Sequence, residues 1–188
     1  MICRQSLSAG AFVISLLVTS ALYAQQPEFP NPLPEHEWLK QFTGHWTTES
    51  KSVGTPEMPE MPEMECSGSM ESRQIGGFWV VNELQGDIGE VSFTGLQTLG
   101  YDPEKKKYIG TWTDSMTDHL WIYEGTVDES GKKLSLVAEG PDMMGTGKLT
   151  KYRDSYEFKS PDVIIATSEV MDADGEWLTF MTGEMTRK

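Results

Sequence analysis

The sequence predicts an all-β fold, an up-and-down antiparallel barrel of about ten strands with one short N-terminal capping helix. Short runs of alternating apolar and polar residues recur from His45 to the C-terminus. Clusters of Gly, Pro, Asp and Ser separate these runs at hairpin spacing, and a helical period is found only ahead of them. Sequential strands joined by short turns favour closure into such a barrel.

The helix is predicted over residues 34–42. Pro34 suits the first helical position, Trp38, Leu39 and Phe42 fall on one face, and Gly44 ends the segment. A Pro-rich leader, residues 25–33, precedes it.

Ten strands follow from the alternation. They are predicted at 45–51, 64–73, 78–85, 91–100, 108–114, 120–127, 133–139, 147–153, 163–171 and 177–187. Turns are predicted at Gly76-Gly77, Gly86-Asp87, 102–104, 128–131, Pro141-Asp142 and 172–175. Both faces of the last strand carry apolar residues near its middle, so its pattern leaves the interior face open.

The N-terminus has the pattern of a cleavable signal peptide. Arg4 precedes an apolar run over residues 9–18, which is too short to span a membrane, and the small residues Ala21 and Ala24 follow. We expect cleavage after Ala24, removal of residues 1–24 and a periplasmic or secreted barrel domain over 34–188. Cys3 would leave with the signal, so Cys66 would remain without an internal disulfide partner.

Composition limits the function classes. The 188 residues include 15 Lys and Arg against 29 Asp and Glu, a formal net charge of −14. Such an acidic chain argues against nucleic acid or an anionic membrane surface as partner, because phosphates are repelled. The length suits one domain with a sizeable core.

The start of the first strand carries a recognisable motif. The segment Phe42-Thr43-Gly44-His45-Trp46 resembles the Gly-x-Trp signature that opens lipocalin and other calycin barrels. The resemblance implies that Trp46 packs beneath a basic residue of the last strand, a position that Arg187 matches. A cation on an aromatic face would stabilise that contact.

A second resemblance covers nearly the whole chain after the signal. Its landmarks are Gly100-Tyr101-Asp102, Tyr108, the segment 112–115, Trp121 with Gly125, and Arg187-Lys188. In order and spacing they resemble the exported bacterial family called domain of unknown function 1579, a lipocalin-like group. The resemblance implies the barrel fold and brings no settled activity.

The leading functional hypothesis is sequestration of a small apolar or amphipathic ligand inside the barrel. Its predicted lining is Trp46, Trp79, Trp112, Trp121 and Met181, with Tyr101, Asp114 and Arg153 orienting a polar end. An alternative role for Asp114 is to cap the turn after its strand. The alternative for the whole molecule is a barrel filled by its own side chains that serves protein–protein contacts or structure.

The sequence gives little sign of an enzyme and predicts no cofactor. Asp114, Ser115, Asp118 and His119 include the residue types of a hydrolase triad, but they crowd around one hairpin without a nucleophile elbow. Of the three histidines, none is spaced as in a zinc site, and haem ligation by His119 is a minor alternative.

A Pro-Glu-Met repeat forms a predicted loop insertion at residues 55–64. Polyproline II geometry would align Met58, Met61 and Met64 in a stripe at intervals of about 9 Å. Thioethers are soft ligands for Cu(I), so copper handling is a further alternative. A loop packing over the barrel mouth or meeting a partner is favoured, since one ion would require the loop to bend.

Overall fold

The computed structural model describes residues 29–54, 63–143 and 145–188. Residues 31–188 form one compact unit, which contains every strand. The predicted signal peptide and most of the Pro-Glu-Met repeat lie outside the described residues.

The ten strands form one closed antiparallel barrel, and the predicted fold class is confirmed. Each strand pairs with its neighbour in the chain, and the first pairs with the last. The strands are β1 Gly44–Ser52, β2 Glu65–Ile75, β3 Trp79–Ile88, β4 Val91–Asp102, β5 Lys107–Asp114, β6 Trp121–Val127, β7 Lys133–Pro141, β8 Leu149–Ser160, β9 Val163–Met171 and β10 Trp177–Arg187. The predicted helix is also present, as α1 Pro34–Leu39 followed by a 3₁₀ turn, Lys40–Phe42.

Two strands, β3 and β8, continue three or more residues beyond their predicted ends, and several others differ by one or two residues. Gly86 and Asp87 lie within β3 rather than in a turn, and the chain reverses at Gly89, whose φ is +61°. A Cβ at Gly86 would lie 2.6 Å from the Ser67 carbonyl oxygen, so this glycine permits close strand approach. Strand β8 continues to Ser160, beyond its predicted end at residue 153. The prediction stopped short because the inward Asp154 interrupts the apolar alternation without ending the strand.

A β-bulge in β10 explains why both faces of that strand are apolar. The register with β9 shifts between Thr179 and Met181. Before the shift Phe180 is buried inside the barrel, and after it Met181 and Met185 face inward. An extra residue reverses the alternation, so inward residues are even-numbered before the bulge and odd-numbered after it.

The helix end of the barrel, called here the closed end, is filled with aromatic side chains. Phe42 and Trp46 are fully buried. The Trp38 ring packs edge-on against Tyr108 and Phe158, with centroids 5.7 and 5.5 Å away. This core holds the helix across the barrel.

Arg187 joins the last strand to the helix as the resemblance implies. Its guanidinium carbon lies 4.1 Å from the Trp46 ring centroid. Nη1 donates to the Thr43 carbonyl at 2.6 Å, and Nη2 donates to the Gln41 carbonyl at 3.0 Å. Gly44 has a φ of +129°, and a Cβ there would lie 2.6 Å from Arg187 Nη1, so the motif requires glycine.

Candidate functional site in the barrel interior

A chain of hydrogen bonds crosses the barrel at mid-height. Ser72 Oγ donates to Asn82 Oδ1 at 2.6 Å, Asn82 Nδ2 donates to Gln97 Oε1 at 2.9 Å, and Gln97 Nε2 donates to Tyr156 Oη at 3.0 Å. β4 and β8, which carry Gln97 and Tyr156, are four places apart around the barrel. The last bond therefore spans the interior, and these four residues are called the polar bridge.

On the helix side of the polar bridge the barrel is filled. The Phe42 ring packs against Tyr156 with centroids 5.3 Å apart. Leu99, Leu134 and Phe158 are buried around it. This half is ordinary close-packed core and leaves no room for a ligand.

On the other side the interior is less completely filled. Several inward-facing side chains keep part of their accessible surface there: Leu84, Trp112, Trp121, Asp154, Ala166, Ser168 and Met181. The space that they border is called the lumen, and it faces the open end, where the turns opposite the helix connect the strands.

Glycines on the barrel wall leave room for the two tryptophan rings. A Cβ added at Gly95 would lie 2.2 Å from the Trp112 ring, and one at Gly140 would lie 2.2 Å from the Trp121 ring. Both rings therefore lie against neighbouring backbone. The wall across from them, on β10, β1, β2 and β3, has small inward residues: Thr48, Ser50, Cys66, Gly68, Gly86 and Gly183.

Asp154 is the acidic centre of the lumen. Its Oδ2 accepts a hydrogen bond from Tyr123 Oη at 2.5 Å, and its Oδ1 accepts one from Ser168 Oγ at 2.6 Å. Burial raises the pKa of Asp154 above its ordinary value, although both hydrogen bonds favour the carboxylate. Burial and then the Asp154 charge raise the pKa of Tyr123 well above its ordinary value.

The structure brings Trp112, Trp121 and Asp114 together near the open end. The two tryptophans are cross-strand partners on β5 and β6. Trp112 Nε1 donates to Asp114 Oδ2 at 2.7 Å, while Asp114 Oδ1 accepts the Met116 and Thr117 amides at 2.8 and 2.9 Å. Asp114 therefore has the turn-capping role that the sequence left as an alternative, and it also holds the Trp112 ring.

Tyr101 lies at the closed end instead. Its ring meets His36 and Tyr108 edge-on, with centroids 5.8 and 5.2 Å away. Along β4 it is four residues beyond Gln97, the partner of Trp112, which corresponds to about 13 Å of strand. The filled core separates Tyr101 from the lumen.

The prediction that Arg153 orients a ligand inside the barrel is wrong. Arg153 is on the outer face of β8, where Nε and Nη2 donate to the two Glu169 carboxylate oxygens at 2.5 and 2.8 Å. Its guanidinium carbon lies 4.4 Å from the Trp177 ring centroid. The side chain alternates with the inward Tyr152 and Asp154, so the pleat directs it to solvent.

Two predicted lining tryptophans are also outside the lumen. Trp79 is outward on β3 and 41% exposed, and it packs on Gly100. Trp46 faces inward but lies beneath the helix in the filled half. Met181 does border the lumen.

The sequence reasoning missed Asp154, Tyr123, Ser168 and the polar bridge. The alternation Tyr152, Asp154, Tyr156, Phe158 could have identified an inward carboxylate, because both flanks of Asp154 are aromatic at period two. No local pattern connects it with Tyr123 and Ser168, which lie on other strands.

Two of the three histidines, His36 and His119, contact neighbouring groups of the fold. His36 Nδ1 accepts the Leu33 amide at 2.9 Å, and the His119 ring meets Trp121 edge-on at 4.8 Å. Within 29–54, 63–143 and 145–188, no group of three His, Cys, Asp or Glu side chains is arranged to hold a metal ion. In the same ranges no helix is long and apolar enough to cross a membrane.

Exposed apolar side chains surround the open end. They come from the connections and strand starts there: Val91, Met116, Leu120, Met143 and Leu149, each 43–66% exposed. Two surface grooves, of about 190 and 880 Å³, lie along the strands around β1 and β2 and are lined mainly by outward-facing residues, although the larger one also touches Ser50, Cys66 and Gly183. Neither groove is the lumen.

The closed barrel, its capping helix and the arginine on Trp46 define a calycin-type barrel protein. The chain belongs to the family described as "Protein of unknown function (DUF1579)", whose model matches residues 31–187. No curated protein matches the sequence.

Solved structures agree on the fold. The chain is similar to Rv2717c from M. tuberculosis, with 11% identity and a TM-score of 0.59, covering 84% of this chain and 99% of that one. It is also similar to an S-type phycobiliprotein lyase, CPES, from Guillardia theta, with 13% identity and a TM-score of 0.54, covering 82% and 92%. At these identities the similarity concerns the fold.

Proposed function

We propose that this protein binds a small amphipathic molecule in the lumen, between the polar bridge and the open end. The observation that carries the proposal is the partial exposure of Leu84, Trp112 and Met181 beyond the bridge, although Tyr152, Val170 and Phe180 form a buried cluster against one wall of the same half. A barrel filled by its own side chains would bury both halves alike.

The chemistry of the lumen suits a ligand with one apolar and one polar part. Trp112, Trp121 and Met181 offer apolar contact, and concave sites of this kind gain most of their affinity from such surface. Asp154 and Tyr156 offer a small number of polar atoms to orient the ligand. The apolar side chains around the open end offer a compatible entrance.

Family membership leaves the ligand open, because the family description states no activity. The structural similarity to a phycobiliprotein lyase concerns the barrel fold alone. At 13% identity it does not assign the lyase activity to this chain.

The test is a titration of intrinsic tryptophan fluorescence with 1-dodecanol, an uncharged amphiphile. We expect a saturable change at one molecule per barrel, because Trp112 and Trp121 border the lumen. The variant Gly140→Val pushes the Trp121 ring away from the wall, so it should weaken binding.

The matched control is Thr126→Val, which makes a β-branched substitution on an exposed, outward position of β6. It should bind as the natural sequence does. If no saturable change occurs, or if both variants bind unchanged, the lumen is not the site and the filled-barrel alternative is favoured.

We also propose that the protein is exported to the periplasm or secreted. Support comes from Arg4, the apolar run over residues 9–18 and the small residues before Gln25. N-terminal sequencing of the product from the periplasmic fraction should begin at Gln25. An intact Met1 in a cytoplasmic fraction would contradict export.

A further inference from the structure

We propose that the polar end of the ligand is a cationic amine, so that the lumen selects organic ammonium amphiphiles over carboxylates of the same length. This inference rests on the proposed function and adds the class of ligand. It follows from the charges that face the lumen, from its aromatic lining and from the charge of the open end.

The ionisable groups that face the lumen are acidic. Asp114 and Asp154 point inward on β5 and β8. Among the described lysines and arginines, Arg187 alone is on an inward strand position, and it is held on Trp46 at the closed end. A carboxylate ligand would therefore enter the lumen beside two carboxyl groups without a cation to pair with.

Asp154 has room to accept another hydrogen bond. Each of its carboxylate oxygens receives one, from Tyr123 or from Ser168, and such an oxygen accepts two. Asp154 is on an inward position of β8, and the residue keeps part of its surface accessible. An ammonium group would supply a charge-assisted donor.

The aromatic lining is compatible with a cation. Trp112 and Trp121 are half-buried, and their rings lie along the wall of the lumen. The face of an indole ring attracts an ammonium or quaternary ammonium group, most strongly where water is excluded. The apolar chain of the same ligand would contact the small-residue wall opposite.

The open end carries the same sign of charge. The described residues of its five connections include seven acidic side chains, one lysine, Lys148, and one histidine, His119. The acidic ones are Glu63, Glu90, Asp118, Asp142, Asp172, Asp174 and Glu176. A potential of this sign attracts cations to the entrance and repels anions.

Protonation of Asp154 gives the selectivity a pH dependence. Burial raises the pKa of this carboxyl, and Glu169 adds to the rise, while Ser168 and Tyr123 oppose it. Asp114 is the other acid that faces the lumen, and Tyr156 on β8 is a neutral phenol at neutral pH. Because an ammonium pairs with the carboxylate, amine affinity should increase as pH rises through the Asp154 pKa.

The experiment compares three ligands with the same chain: dodecylammonium, 1-dodecanol and dodecanoate. Dodecylammonium and dodecanoate are titrated below their micelle concentrations, and 1-dodecanol is titrated below its solubility limit. The intact protein is used, with tryptophan fluorescence and calorimetry as readouts and circular dichroism as a check on folding. We expect dodecylammonium to bind on the order of ten-fold or more tighter than dodecanoate.

The variant Asp154→Asn should reduce that preference, because it removes the carboxylate that pairs with the ammonium and keeps a side chain of the same size. Glu49→Gln removes one carboxylate from the outer face of β1 and is the control for the general negative charge of the protein. It should retain the preference. If Asp154→Asn fails to fold, the pH dependence of dodecylammonium binding to the natural sequence provides the same test.

The outcomes separate this inference from the proposed function. Equal or tighter binding of dodecanoate, with 1-dodecanol also bound, overturns the cationic selectivity and leaves the lumen as a binding site. An equal loss of preference in Glu49→Gln and Asp154→Asn assigns the effect to surface charge and overturns the inference. Failure of all three ligands to bind overturns the proposed function itself.

Discussion

Replacing Arg187 by alanine should destabilise the barrel by about 2.5–5 kcal/mol. The bond to the Thr43 carbonyl is partly buried and made by a charged donor, which contributes about 1.5–3 kcal/mol. Stacking on Trp46 adds about 1 kcal/mol. The more exposed contacts with Gln41, Pro161 and Asp162 add about 0–1 kcal/mol together.

The measurement is equilibrium urea unfolding, followed by tryptophan fluorescence. Arg73→Ala is the matched control, because Arg73 makes an exposed ion pair with Glu83 at 3.3 Å and should contribute about 0–1 kcal/mol. Arg187→Lys should fall between the two, since lysine keeps the charge and cannot reach several carbonyls at once. A loss below about 1 kcal/mol for Arg187→Ala, or a loss equal to the Arg73 control, would refute the reasoning.

Three further predictions concern the polar bridge, Asp154 and the glycine at the start of β1. Gln97→Leu breaks the polar bridge and leaves the Asn82 side-chain amide without its acceptor. Urea unfolding should therefore show a loss of about 1–3 kcal/mol in the free energy of unfolding. No loss would mean that water replaces the bridge. Because the folded-state pKa of Asp154 is raised, its contribution to the free energy of unfolding is greatest at low pH and declines as pH rises from its ordinary value through the raised one. The stability difference between the natural sequence and Asp154→Asn should follow that decline, and a difference independent of pH would contradict it. Gly44→Ala should destabilise the protein by more than the Thr126→Val control in thermal unfolding, because its φ of +129° and the nearby Arg187 exclude a side chain.

Local sequence chemistry predicted most of the strands. Strands β9 and β10 begin and end where the alternation and the turn residues predicted. The helix was predictable for the same reason, since Pro34 and Gly44 mark its limits locally. Prediction of strand ends was poorest in β8, where the inward Asp154 interrupts the apolar alternation, and in β3, where Gly86 serves strand packing rather than a turn.

The functional region was only partly predictable. Trp112, Trp121 and Asp114 were found because they are close together in the sequence and in the barrel. Asp154 escaped notice because its partners Tyr123 and Ser168 come from β6 and β9, which meet it only across strand pairing. Arg153 was misplaced because the alternation of β8 was not followed beyond it: Tyr152, Tyr156 and Phe158 share the inward face, which leaves residue 153 outside.

The sequence by itself determined the number of strands, the capping helix and the glycine–tryptophan–arginine arrangement, since each depends on residue types at short spacing or on a recognisable motif. Only the tertiary structure decided which face of β10 is interior along its length, because a single bulge in that strand reverses the alternation. It also decided where the barrel is filled. That outcome depends on Gln97 meeting Tyr156 across the interior and on glycines that let two indole rings lie against the wall, and both are long-range packing relations that local propensity does not encode.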